Sequence, residues 1–441
     1  MSAADRGSRA GADTRSDPAP VTGTRTGILS AARVVTSSAV HAPGWVSFEE
    51  GRITGVGSGA PVSPPTRDLG DVTLVPGFVD VHVHGGGGAG YAEGSAALAL
   101  RARDAHLAHG TTTSVASLVT DTSERLLESV RLLAGLVETG ELRGIHLEGP
   151  WLSPARAGAH DPGLLRNPDP DEIDALLAAG ALPGPGANGA GSGSAPANAI
   201  AAVTIAPELP GAIGAIERFA RAGVVVAVGH TDADYDCVVR AIEAGATVAT
   251  HLFNAMRPLH HREPGPVLAL LEDPRVSIEL IADGTHLHPR LARWAAARAG
   301  EDRALLVTDA MGAAACGDGA YRLGALDVEV ARGVARLAGT ETIAGSTATM
   351  DGLFRHWVAG AAASADPESP DAADEPRSTA ARAPSATEAA LLAAVRLTAV
   401  NPARALRWSD VGDLAVGKRM DAVVLDPDLR VVEVIRAAER T

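Results

Sequence analysis

Six residues frame the chemistry open to this chain. His82 and His84 stand one residue apart at the end of an apolar run that begins at Phe78, in the stretch Asp80-Val-His82-Val-His84-Gly. Alternate residues of a strand point to one face, so both imidazoles can enter one site together. Other apolar runs end in the same manner: His146-Leu-Glu148-Gly-Pro, Gly229-His230-Thr231, Thr250-His251-Leu-Phe-Asn254, Asp283-Gly284-Thr285-His286 and Thr308-Asp309-Ala310. Where these ends converge, His82, His84, Glu148, His230 and His251 offer four neutral nitrogens and a carboxylate. That donor set suits Zn2+ or another borderline divalent ion. Asp309 beside it is placed to take a proton from metal-bound water, whose pKa falls to about 7 on such a centre. A lone His-x-His pair is more often incidental, and an aspartate ahead of a helix is usually a cap. Five potential ligands and a base, all at the ends of apolar runs, favour the metal site.

Bringing those ends together requires strands that run side by side. Short apolar runs occupy 78–83, 112–118, 144–147, 203–206, 224–228, 247–252, 276–282 and 304–308, separated mostly by stretches with helical spacing such as AALALRARDAHLAHG and DYDCVVRAIEAGA. Eight such repeats predict a parallel (β/α)8 barrel, an α/β fold whose chemistry sits at the C-terminal ends of its strands. A doubly wound sheet rarely uses eight such repeats. The fifth and sixth repeats are clearest and the fourth weakest.

The remaining segments read differently. Residues 27–75 and the C-terminal 408–441 show short strand-like alternation, which predicts a small discontinuous β-sandwich-like domain built from both chain ends, flanking a catalytic barrel over 76–407. Residues 1–26 read as a disordered tail, and 183–199 and 363–388 as low-complexity surface insertions.

Composition closes off several functions. The chain has 441 residues with a formal charge of −15, the wrong sign for binding a phosphate backbone. Aromatics make up 3%, too few for a base-stacking platform, so no nucleic-acid partner is expected. No uncharged apolar run approaches membrane length and the first residues lack a signal-like apolar core, so neither a membrane partner nor secretion is expected. Two cysteines, Cys237 and Cys316, make no disulfide framework and point to the cytoplasm.

With the strand ends laid out, PGFVDVHVHG and the Glu, His, His and Asp that follow resemble the amidohydrolase superfamily. Within it, HLEGPWL, GAH, VGHTDADY, THLFNAM, REPG, ADGTHLHP, VTDAM and IAGSTATM resemble the N-acetylglucosamine-6-phosphate deacetylases. The likeness covers about residues 27–430, with HLEGP and THLFNAM…REPG its most specific parts. Several cyclic-amide hydrolases of the superfamily bridge two metals with a carboxylated lysine inside the barrel. The single lysine here, Lys418, lies in the terminal β segment, which leaves Glu148 as the substitute.

The resemblance implies Glu148, His230 and His251 as main metal ligands, with His82 and His84 able to hold a second ion. It implies Asp309 as base toward water and acid toward the leaving amine. His160 then contacts the sugar or the polarised carbonyl, and His286 the sugar or phosphate. Asn254 and Ala255 would offer backbone N–H groups to the 6-phosphate, and Arg262 of REPG would bind it with a planar fork. The expected reaction is removal of acetate from N-acetylglucosamine 6-phosphate, with one or two ions per subunit. Zn2+ is expected first, with Fe2+, Mn2+ and Co2+ compatible with the same donors. The substrate is thus a small phosphorylated amino sugar, and the assembly a homodimer in which Arg262 reaches the neighbouring site. Alternatives are the galactosamine epimer, another N-acyl amidohydrolase and, more remotely, a non-catalytic barrel serving as a scaffold. His106 and His109 read as an ordinary helix face, and His260 and His261 as loop residues.

Overall fold

The computed structural model describes residues 26–183, 198–364 and 384–437. The tail expected over 1–26 and the insertions expected over 183–199 and 363–388 fall mostly outside these residues. At their described edges, a strand starts at Thr26 and a helix, Ala386–Val395, starts inside the second insertion. Ser385 caps that helix, accepting from the Glu388 N–H while the Glu388 side chain returns to the Ser385 N–H.

Eight parallel strands form the barrel in sequential order: β1 (Phe78–Asp80), β2 (Thr111–Leu118), β3 (Gly144–Glu148), β4 (Ile200–Ile205), β5 (Val225–Val228), β6 (Ala246–Ala249), β7 (Ser277–Leu280) and β8 (Ala304–Leu306). The first and last strands meet just past their ends. Val83 bridges Ala310 in parallel, the His84 N–H donates to the Ala310 carbonyl at 2.8 Å, and the Asp309 N–H to the His82 carbonyl at 2.9 Å. Those backbone bonds place the His-x-His pair beside Asp309. The fourth strand, faint in the sequence, is a well-paired six-residue element.

The strand alternation sorts residues by layer. Val115, Ala202, Val225, Ala227, Val248 and Leu305 cluster inside the barrel, together with Ala403, Leu406 and Val411 from the C-terminal segment. Their neighbours Ala116, Val203, Val226, Ala249 and Leu306 pack outward into the main core. The helix after β2, α2 (Ser123–Glu138), illustrates the outer layer. Thr122 caps it, and Leu126, Val130, Leu133, Ala134 and Val137 recur at helical spacing and are buried. Full burial of each large aliphatic side chain stabilises the fold by about 1.5–3 kcal/mol.

Both chain ends contribute to one β structure. The strand Ala422–Leu425 lies antiparallel to Thr73–Pro76, with Val423 opposite Val75, and Thr73–Pro76 runs almost directly into β1. Leu29, Val46, Phe48 and Ile53 from the N-terminal segment pack with Leu414, Met420 and Val424 from the C-terminal one. A further feature follows β8: three antiparallel strands, Gly319–Leu323, Leu326–Ala331 and Val334–Leu337, project from the barrel rim. They bring Leu323, and the chain after them Thr342 and Ile343, to the catalytic cleft.

Candidate metal centre and catalytic cleft

The strand ends converge as their spacing requires. Glu148, the last residue of β3, is the hub. Its Oε1 lies 3.2 Å from His230 Nε2 and 3.0 Å from His251 Nε2, and its Oε2 lies 3.1 Å from His84 Nε2. His82 Nε2 stands 3.4 Å from Glu148 Oε1, and Asp309 Oδ1 is 3.2 Å from His84 Nε2. All six side chains are buried. All but His82 line the floor of a cleft of about 340 Å3 whose walls include His160, Asn254, Ala255 and His286.

Three of these residues sit in backbone conformations that cost energy. His230, His251 and Asp309 adopt φ of 47°, 27° and 48°, in the left-handed region that side chains with a Cβ avoid. Each follows the end of its strand, so the reversal turns the side chain across the barrel mouth. Strain of about 1–3 kcal/mol per residue persists only where surrounding structure enforces it. Here strand pairing on one side and the Glu148 hub on the other do so.

The hydrogen bonds around each ring fix which nitrogen can bind a cation. His82 Nδ1–H donates to Glu279 Oε2 at 3.1 Å, and His230 Nδ1–H donates to the Arg156 carbonyl at 2.9 Å. Both rings therefore present an Nε2 lone pair to the centre, the arrangement of a metal-ligating histidine. His82 Nε2 and His84 Nε2 are 3.1 Å apart, as are His230 Nε2 and His251 Nε2. Facing lone pairs at that separation repel unless a proton or cation lies with them. The donor set thus fits a divalent ion in each of two adjoining positions sharing Glu148: His82 and His84 on one side, His230 and His251 on the other.

The acid–base balance tells the same story. Burial opposes charge on the His84 ring, but hydrogen bonds to Asp309 and Glu148 outweigh it and push its pKa up to about 9. His82 is likewise raised against burial, by the charges of Glu148 and Asp309. Burial alone would raise Glu148; the charge of His82 and the close rings of His160, His230 and His251 hold it well below the carboxylate range. Asp309 is also depressed, with burial overcome by His82 and His84. Two buried carboxylates attract positive charge strongly, and a metal ion answers that attraction better than protons do.

His160 differs from the other rings. The Thr120 N–H donates to its Nδ1 at 3.3 Å, and the Thr120 hydroxyl stands 2.9 Å away. Burial lowers its pKa to about 4. A neutral ring whose Nδ1 accepts carries its proton on Nε2, which lies 3.4 Å from Glu148 Oε2. His160 is therefore a hydrogen-bond donor into the cleft, although it lies close enough to join a ligand group with Glu148 and His230.

The other sequence-derived candidates fare unequally. His286 lines the cleft, tethered by its Nδ1–H to Asp283 at 2.8 Å. Asn254 lines it too, with its backbone N–H already donated to the His251 carbonyl at 3.0 Å. Ala255 turns beside it at φ 50°. Arg262 is not brought to the cleft of its own chain; it is exposed, with Nη1 2.7 Å from His261 Nε2. Glu279, His146 and Thr120 escaped the sequence reading. His146 lies two residues before Glu148 on β3, bonded to Ser117 at 3.0 Å and Thr204 at 2.8 Å. Glu279 was legible as a carboxylate inside the apolar run SIELIA, where an unpaired charge is costly. His106, read as an ordinary helix face, is instead buried, with Nε2–H donated to the Gly85 carbonyl at 2.8 Å.

Comparison with known proteins agrees with this geometry. Residues 73–439 match the amidohydrolase family. A solved N-acetyl-D-glucosamine-6-phosphate deacetylase from Mycobacterium smegmatis is 48% identical, with a TM-score of 0.81, covering 93% of this chain and 99% of that one. The N-acetylglucosamine-6-phosphate deacetylase of Homo sapiens is 34% identical over 383 residues, 84% of this chain and 83% of the relative. The N-acetylgalactosamine-6-phosphate deacetylase of Escherichia coli O157:H7 is 31% identical over 418 residues, 93% of this chain and 97% of the relative. Matched across most of its length, the chain belongs to the amidohydrolase family.

Proposed function

We propose that this protein hydrolyses the acetamide of N-acetylglucosamine 6-phosphate, consuming water and giving glucosamine 6-phosphate and acetate. The observation that carries the reading is Asp309 facing the Glu148–histidine cluster on the cleft floor, 3.2 Å from His84 Nε2, in a chain 48% identical to a solved deacetylase of that substrate. When bound, a divalent ion polarises the acetamide carbonyl and acidifies a water. Asp309 accepts the proton of the attacking water and delivers it to the amine nitrogen as the C–N bond breaks. His160, neutral with its proton on Nε2, donates toward the carbonyl oxygen as charge develops there. His286 is held by Asp283 to contact the sugar, while Asn254 and Ala255 flank the phosphate end.

The finer assignments follow from the same family reading. We infer Zn2+ as the resident ion, in one or both positions, and a cytoplasmic homodimer. The exposure of Arg262, away from its own cleft, supports a role in the partner's site, where its fork would bind the 6-phosphate.

A second reading has its own support. The Escherichia coli O157:H7 relative, which spans 93% of this chain, is named for the galactosamine epimer. Acetate release from N-acetylglucosamine 6-phosphate, its galacto epimer and unphosphorylated N-acetylglucosamine separates the cases. The proposal expects the glucosamine phosphate to give the highest kcat/KM. Preference for the galacto epimer would transfer the assignment to that sugar, and indifference to phosphate would overturn it in favour of a general N-acyl hydrolase.

A further inference from the structure

A second cavity, of about 190 Å3, opens at the other end of the barrel, where β2 begins. The helix α1 (Ala96–Ala108), the end of α2 and the C-terminal segment complete its walls. Four wall residues are arginines, Arg103, Arg143, Arg419 and Arg436, against one carboxylate, Glu141. On the wall itself, guanidinium groups thus outnumber carboxylates among the described residues.

The guanidinium groups are braced. Arg103 pairs with Glu141 and Asp104, Arg143 Nη2 donates to Asp410 at 2.6 Å, and Arg419 Nε lies 3.0 Å from Asp421 Oδ2. None of those aspartates lines the cavity. A separate observation shows that the wall is incomplete. Among the described residues, the Thr111 hydroxyl, on a residue 3% exposed, and Arg143 Nε are buried without a hydrogen-bond partner. Native proteins leave few such groups unsatisfied, and a bound molecule or water commonly answers them. The strand also departs from regular pairing here: Thr111 pairs with Phe78 and Thr113 with Val79, leaving Thr112 as a bulge. Bulges re-aim side chains beside functional sites.

We propose that this cavity binds a phosphate dianion, free or as a small phosphomonoester, clamped between the barrel floor and the C-terminal segment. The arginine forks match phosphate oxygens, and the Thr111 hydroxyl and Arg143 Nε–H supply the orphaned donors. This site is separate from the catalytic cleft, and its existence does not depend on the reaction proposed there.

Trp408 offers a reporter, because Arg143 Cζ lies 5.6 Å from its ring centroid. Tryptophan fluorescence is titrated with inorganic phosphate and, separately, with glycerol 3-phosphate, with chloride holding ionic strength constant. A saturable response is expected, weakened at least tenfold in Thr111→Val and in Arg143→Met while acetate release in phosphate-free buffer is unchanged. Response to both ligands assigns the site to the phosphate group itself, and response to glycerol 3-phosphate alone assigns it to phosphomonoesters. No saturable response to either ligand, or variants that titrate like the wild type, would overturn the proposal. Thr111→Val preserves shape and breaks no bond in the structure, so it carries the test even where Arg143→Met fails to fold.

Discussion

Glu279 Oε2 accepts the Nδ1–H of His82 at 3.1 Å and also the backbone N–H of His251 at 3.1 Å. One carboxylate thereby ties the first and sixth strand ends and fixes the tautomer of a candidate metal ligand. Removing such a partner typically lowers metal affinity by about 10–100-fold. Glu279→Ala should lose metal first from the His82–His84 position, while the His230–His251 position retains its ion. Elemental analysis after graded dialysis against chelator measures the difference. Equal retention in both proteins would show that Glu279 does not orient the ligand.

The role proposed for Arg262 yields a prediction about assembly. Hydrogen bonds to charged groups contribute about 1.5–3 kcal/mol, so Arg262→Ala should raise KM by about 10–100-fold with little change in kcat. If Arg262 serves the partner's cleft, mixing Arg262→Ala with Asp309→Asn subunits creates one site with both groups intact. Activity should then return in the mixture beyond the sum of the separate variants. A mixture that stays at that sum would place Arg262 in its own subunit's site or outside catalysis.

His106 sets a pH dependence of stability. Burial lowers its pKa to about 4, against 6.5 for an unfolded histidine. Between those values the unfolded chain takes up a proton that the folded ring refuses, so stability falls as pH drops from about 6.5 to about 4. Asp351 continues the trend below that window: burial would raise its pKa, but His109 and Arg355 hold it well below the carboxylate range. His106→Gln should flatten the slope of denaturation midpoint against pH between 6.5 and 4. An unchanged slope would remove His106 as its source.

The β structure joining the chain ends can be tested by cavity formation. Leu74 is fully buried among Leu29, Val34, Phe48 and Val424, in the strand that leads into β1. Leu74→Ala should cost about 2–5 kcal/mol. Urea denaturation followed by circular dichroism reads that loss directly, and a cost under about 1 kcal/mol would mean that the site collapses around the smaller side chain.

Legibility in the sequence followed the physics of each part. Barrel strands buried on both faces leave continuous apolar runs, so polar residues that close them stand out. Those residues are His82, His84, Glu148, His230, His251 and Asp309, which the barrel brings together around Glu148. The residues that escaped act through hydrogen bonds to partners distant in sequence. Thr120 orients His160 from 40 positions away, and no local spacing records it. The antiparallel excursion after β8 carried a weak signal, with Val328 and Val330 buried while Asp327 and Glu329 are exposed, and turns at Gly324 and Gly333. The fourth strand was obscured because a Gly- and Pro-rich stretch adjoins it, which hid its start at Ile200.

The most direct test of the central claim compares acetate release by the wild type and Asp309→Asn from N-acetylglucosamine 6-phosphate, at equal metal content verified by elemental analysis. With the base removed but the ligand cluster kept, kcat should fall by about 10²–10⁴-fold, the range for general acid–base catalysis. Restoring the carboxylate should recover it. An Asp309→Asn protein that turns over at the wild-type rate would contradict the account, because proton transfer would then lie with another group.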